Sequence, residues 1–174
     1  MSSGLPERVD PLRSADAQRR FKGSAELQRF ERLAGDLAET SGEVVFDLAF
    51  GRLATGFAAL TGRLTAVVHL RCQRCLEIFP LPLDLAVALG FVETESLAER
   101  VPPGYEPCLV EDGTVSVPDI IENELLLALP QVPMHPPEQC RVQLDWGEDD
   151  ELEEPGAEER PSPFAVLKQL KIDD

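Results

Sequence analysis

Residues 63–91 read RLTAVVHLRCQRCLEIFPLPLDLAVALGF, and the fold turns on their period. From Arg63 to Cys72 the chain alternates: Leu64, Ala66, Val68, Leu70 and Cys72 fall on one face, with Arg63, Thr65, Val67, His69 and Arg71 on the other. Successive side chains of a strand point to opposite sides, so this is strand patterning. After Gln73 and Arg74 the alternation resumes, with Phe79, Leu81, Leu83, Leu85, Val87, Leu89 and Phe91 on a single face. Two such runs around a short connector predict an antiparallel hairpin whose tip carries Cys72 and Cys75. Pro80 and Pro82 have no N–H to give to a ladder, so the second strand is expected to begin at a sheet edge.

Upstream of the hairpin, Val44, Phe46, Leu48 and Phe50 alternate as in a half-buried strand, and a weaker strand pattern follows around residues 55–60. Residues 24–39 are expected to be helical, because Ser24 can cap, Glu26 sits in the positive first turn, and Leu27, Phe30, Ala34 and Leu37 share a face. Downstream, residues 93–113 read as a loop punctuated by Pro102-Pro103-Gly104 and Asp112-Gly113. Ser116, Pro118 and Asp119 then mark a helix start. That helix carries Ile120, Ile121, Leu125, Leu126, Leu127 and Leu129 before Pro130 stops it, so it should be buried on most sides near its end. The expected fold is α+β: an antiparallel sheet of about four strands with the CxxC hairpin, covered by two main helices.

A chain of 174 residues suits one modest core, placed at residues 1–144. The formal net charge of −16 argues against a protein that coats nucleic acid, since affinity for phosphate comes chiefly from Lys and Arg displacing counterions. Much of the acid lies between Asp145 and Glu159, so residues 145–161 are expected to form a disordered acidic linker. Residues 162–174 follow as a short helical peptide with Phe164, Leu167 and Leu170 along one stripe. Arg8, Arg13, Arg19, Arg20, Lys22, Arg29 and Arg32 make the first stretch less acidic, leaving a local RNA contact open. With no signal peptide and no apolar run long enough to span a bilayer, the protein is expected in the cytoplasm. Its four cysteines, Cys72, Cys75, Cys108 and Cys140, would there be reduced.

One constellation carries chemistry: Cys72-Gln73-Arg74-Cys75 together with His135 and Cys140. A CxxC pair lets two thiolates converge on one cation, and a histidine and cysteine on a proline-stiffened turn supply the other two corners of a tetrahedral Cys3His zinc site. The halves lie about sixty residues apart, so they meet only if the leucine-rich helix packs on the sheet and delivers His135 to the hairpin tip. The bland reading is four reduced side chains packed as small groups. Thioredoxin-like chemistry is disfavoured, because the segment after Cys75 alternates like a strand where a reactive CxxC needs a helix N-terminus. There is no glycine-rich phosphate loop, GxSxG elbow or HExxH, so no enzyme is expected. His69 reads as a surface histidine.

Four stretches, Leu70–Glu77 (LRCQRCLE), Ile120–Pro130 (IIENELLLALP), Val132 through Cys140, and Pro163–Leu167 (PFAVL), resemble in their order the YceD family of large ribosomal RNA subunit accumulation proteins. The resemblance implies a role in synthesis, processing or stability of the large-subunit ribosomal RNA, with no catalytic activity. Cys72, Cys75, His135 and Cys140 match the family's recurrent cysteine and histidine positions, where one zinc ion is expected. Cys108 stands outside those motifs. The expected partners are the large-subunit ribosomal RNA precursor, a basic ribosomal protein, or both, with Arg63, Arg71 and Arg74 near the hairpin as contacts. Neither a membrane nor a small-molecule substrate is expected. The rival reading is a zinc-stabilised interaction adaptor unrelated to ribosomes.

Overall fold

A computed structural model of the chain describes residues 5–110 and 112–140. The expected acidic linker at 145–161 and terminal helix at 162–174 lie outside the described residues. The elements in order are β1 (Arg8–Val9), α1 (Pro11–Asp16), β2 (Arg20–Glu26), α2 (Glu31–Asp36), β3 (Glu43–Arg52), β4 (Ala58–Arg71), β5 (Ile78–Val92), β6 (Glu106–Leu109), β7 (Val115–Ser116) and α3 (Val117–Ala128). The fold is α+β around a mostly antiparallel sheet.

That sheet has five strands in the order β2-β3-β4-β5-β6, and β1 with β7 forms a separate two-stranded ribbon. All neighbours in the main sheet run antiparallel except β5 and β6, which pair parallel from Leu89↔Glu106 to Val92↔Leu109. The long ladder is β4 against β5, continuous from Ala59↔Gly90 to Arg71↔Ile78, with Cys72–Glu77 as its connector. Inner-face residues Phe46, Leu48, Leu60, Leu64, Val68, Val87 and Phe91 are buried. Against them pack α1, on β3 and β4, and α3, on β5. At the far end of the sheet, Phe50 stacks on Phe91 with centroids 5.8 Å apart.

The expected helix at 24–39 is corrected. Residues up to Glu26 belong to β2, a single 3-10 turn follows at Leu27–Arg29, and only Glu31–Asp36 is α-helical. Of the face expected there, Leu27 and Phe30 are buried and Ala34 and Leu37 only partly so, while Leu33, outside that stripe, is fully buried: a turn and a short helix present a different set of side chains than one long helix would. The expected four strands become five: β2, of which only residues 24–26 fall in the expected helix, and β6, in the expected loop, are added, and the strand expected at 55–60 merges into β4. The weak strand at 55–60 is not separate: β4 begins at Ala58 and runs unbroken to Arg71. The helix read from Ser116 is α3, whose Asp119 N–H donates to Ser116 Oγ at 3.2 Å.

One glycine is fixed by close approach. A Cβ on Gly62 would fall inside the contact radius of the Asp47 carbonyl oxygen and lie 2.9 Å from Leu48 Cα, both backbone atoms of the paired strand β3. Gly62→Ala should therefore push β3 and β4 apart and lower stability by about 1–3 kcal/mol. A chemical-denaturation midpoint equal to that of the native chain would contradict this.

Candidate metal centre

The β4–β5 connector is built to gather donors. Cys72 N–H donates to Glu77 O, and Leu76 N–H returns to Cys72 O, each at 2.9 Å, closing the turn on itself. Closure places Leu76 at φ +64°, a left-handed conformation that costs a non-glycine residue strain, while its side chain stays exposed. Inside this turn the Arg74 N–H points at Cys72 Sγ, at 3.4 Å.

The other half arrives on the segment after α3. Leu129 caps the helix, Pro130 prevents its continuation, and Gln73 N–H captures the Pro133 carbonyl at 2.9 Å. His135 then lies buried against Phe79, ring centroids 4.9 Å apart. A 3-10 turn at Pro137–Gln139 brings the chain back so that Cys140 is buried too. The donor atoms of Cys72, Cys75, His135 and Cys140 all lie within 4.8 Å of one another.

These distances suit a tetrahedral cation. Zn–S of about 2.3 Å and Zn–N of about 2.0–2.1 Å put neighbouring ligand atoms roughly 3.5–3.8 Å apart, and Cys75 Sγ stands 3.7 and 3.8 Å from the two ring nitrogens of His135. The electrostatics agree. Burial raises the Cys72 thiol, but the backbone N–H groups of Cys75, Arg74 and His135 outweigh it and bring the thiol down to about 6. Burial first, then the neighbouring sulfurs of Cys140 and Cys72, pushes Cys75 up. Three sulfurs gathered around an imidazole in one mostly buried cluster repel each other as thiolates unless a cation neutralises them.

The structure brings together the four residues read from sequence as candidate ligands, and the three arginines fare differently. Arg63 makes a two-pronged ion pair with Asp84 across the β4–β5 ladder. Arg71 Nη1 donates to Leu76 O at 2.9 Å, and Arg74 Nη2 to His135 O at 3.2 Å. Eight residues of strand, about 26 Å, separate Arg63 from Arg71, so the three make no common patch. In the basic N-terminal stretch, Arg13 pairs with Asp10, Arg20 and Lys22 with Asp47, Arg29 with Glu7, and Arg32 with Glu122. Cys108, on β6 and partly buried, is not in the cluster; burial and the nearby Glu124 carboxylate raise its thiol.

Sequence reading missed Glu122. This buried α3 carboxylate accepts the N–H groups of Arg32 at 2.8 Å and Leu33 at 3.1 Å, in the first turn of α2, and pairs with the Arg32 guanidinium at 2.8 Å. An acid on the helix stripe that also carries Pro118, Ile121 and Leu125 was the available signal.

A small, mostly antiparallel α+β domain with a Cys3His cluster joining a hairpin connector to a distant turn is the class these observations define. The family model described as Large ribosomal RNA subunit accumulation protein YceD matches residues 60–171. A Haemophilus influenzae protein named Large ribosomal RNA subunit accumulation protein YceD is 33% identical over 168 residues, covering 96% of this chain and 96% of that one. The chain belongs to the YceD family. No solved structure matches it.

Proposed function

We propose that this protein promotes accumulation of the large-subunit ribosomal RNA by binding rather than by catalysis, in the cytoplasm, with one zinc ion held by Cys72, Cys75, His135 and Cys140. The carrying observation is the identity that runs through nearly the whole length of a relative named for that role. Zinc there would be structural: four protein donors leave no open position for a substrate or an activated water. A binding role also fits Cys72, whose depressed thiol is 0% exposed. A nucleophile needs access; a buried thiolate serves as a ligand.

The working partners are the ribosomal RNA precursor and a basic ribosomal protein, with the acidic run of residues 145–161 engaging the latter. Charge favours the protein contact. Arg63 and most basic residues before Glu43 are spent on intramolecular ion pairs, and the chain as a whole carries −16. Arg71 and Arg74 are spent on carbonyls.

Depletion provides the test. Loss of the protein should lower the large-subunit peak on a sucrose gradient relative to the small-subunit peak, together with the ratio of large-subunit to small-subunit ribosomal RNA. The native chain should restore both. An unchanged profile would favour the adaptor unrelated to ribosomes.

A further inference from the structure

We propose that Arg74 is a positioning residue of the metal centre, the side chain that holds His135 at coordination distance and thereby sets how long the metal stays bound. The inference rests on the reading of Cys72, Cys75, His135 and Cys140 as ligands, and it concerns a residue outside that set.

The need for such a residue follows from the segment that carries His135. Pro130, Pro133, Pro136 and Pro137 leave four of the eight positions from 130 to 137 without an N–H. Past α3 the only regular structure among the described residues is one 3-10 turn at Pro137–Gln139, beyond the histidine. A segment poor in donors cannot anchor itself through a ladder, so its carbonyls must be met by donors from elsewhere. The two residues between the CxxC cysteines supply them: Gln73 N–H reaches Pro133 O at 2.9 Å, and Arg74 Nη2 reaches His135 O at 3.2 Å.

Arg74, itself outside the ligand set, touches both halves of the cluster at candidate ligand residues. Its backbone N–H points at Cys72 Sγ, and its side chain holds the main chain of His135, 61 residues away. Fold stability by itself gives no reason for an arginine here. Its Nε is buried with no hydrogen-bond partner, which destabilises the folded chain. An apolar side chain of similar length would fill the space and leave no donor stranded. What it would lose is the bond to His135 O. Partners of this kind, one bond outward from a ligand, typically change metal affinity about 10–100-fold.

Arg74→Met and Arg74→Lys separate a positioning role from a structural one. Purified full-length proteins are loaded with zinc, then challenged with excess chelator carrying a colour change, and the release rate is read. Arg74→Met should release zinc about 10–100-fold faster than the native chain, while its melting temperature in chelator stays equal or rises because the stranded Nε is gone. Arg74→Lys should recover much of the lost retention, since an ammonium can reach the same carbonyl. With cobalt(II) in place of zinc, the visible bands of Arg74→Met should move toward those of His135→Ala. Those of Glu122→Gln, changed on α3 where its partners are Arg32 and Leu33, should remain native. Release from Arg74→Met at the native rate, or Arg74→Lys releasing as fast as Arg74→Met, overturns the inference and leaves the ligand set standing. A native chain that takes up neither zinc nor cobalt overturns the ligand reading and this inference with it.

Discussion

Cys72→Ser should emerge from purification with its zinc content reduced from about one ion per chain to near zero, and with a selectively loosened structure. Cys72 is the most deeply buried of the four candidate ligands, at 0% exposure, and surrounding N–H groups outweigh burial to bring its thiol down to about 6. A serine hydroxyl in its place stays protonated and is a poor zinc ligand. The loss of bound metal removes stabilisation that grows with saturation, about 4 kcal/mol where free metal exceeds the dissociation constant a thousandfold. The sheet core should survive that loss. Leu48, Leu60, Leu64, Ile121 and Leu125 are fully buried in a core far larger than the cluster, unlike that of a small finger that is unfolded without its ion. Hydrogen exchange is the sharper measurement. Protection should vanish in residues 72–77 and 131–140 and persist through β3 and β4. Equal protection of the two halves with and without chelator would mean that packing alone joins them, and the zinc reading would fall.

The same contrast between core and cluster runs through the amino-acid sequence. The β4–β5 ladder was legible because its inner positions alternate from Leu64 to Phe91 without a break other than the connector. The start of α3 was legible because Ser116, Pro118 and Asp119 satisfy the first turn locally. β2 was hidden. Of its inward positions, Phe21 is half-buried, Gly23 has no side chain and Ala25 little, so no period-2 signal rises above the helical spacing of Leu27, Phe30 and Ala34. β6 was hidden by its brevity and by pairing parallel with β5 across the long connection of residues 93–105, where no hairpin turn signals the pairing. For the candidate site, ligand identity was local information and ligand meeting was not. Cys72 and Cys75 announce themselves by spacing, but their approach to His135 depends on where α3 packs, which no short window of sequence contains. The ion pair of Arg63 was hidden for the same reason: Asp84 is twenty-one residues away in sequence and beside it in the ladder.

Glu122→Ala should cost about 3 kcal/mol, as much as truncating a buried core leucine. The α2 helix has six residues, and its N-cap, Phe30, offers no side-chain acceptor, so its first N–H groups need a partner from elsewhere. Glu122 supplies it from α3 by accepting from Arg32 and Leu33 while its second oxygen binds the Arg32 guanidinium. Leu33 is fully buried, so its N–H cannot turn to water when the carboxylate is removed. Hydrogen bonds to a charged acceptor are worth roughly 1.5–3 kcal/mol each, and stranding their donors loses that and more. Arg32 itself is 55% exposed and re-solvates, which keeps the total near the lower end of that sum. The pH dependence follows in sign. Burial raises the Glu122 carboxyl, but the Leu33 N–H, the Arg32 side chain and the Arg32 N–H outweigh it, so the folded value lies below the ordinary 4.5. A depressed folded value means the contribution is complete above the unfolded value and fades as pH falls through the folded one. Glu122→Gln should accordingly lose stability at pH 7 and lose progressively less as acid is added, its denaturation curve approaching that of the native chain once both carry a neutral group there. A stability difference that stayed constant from neutral pH into acid would show that the charge of Glu122 is not what holds α2 to α3.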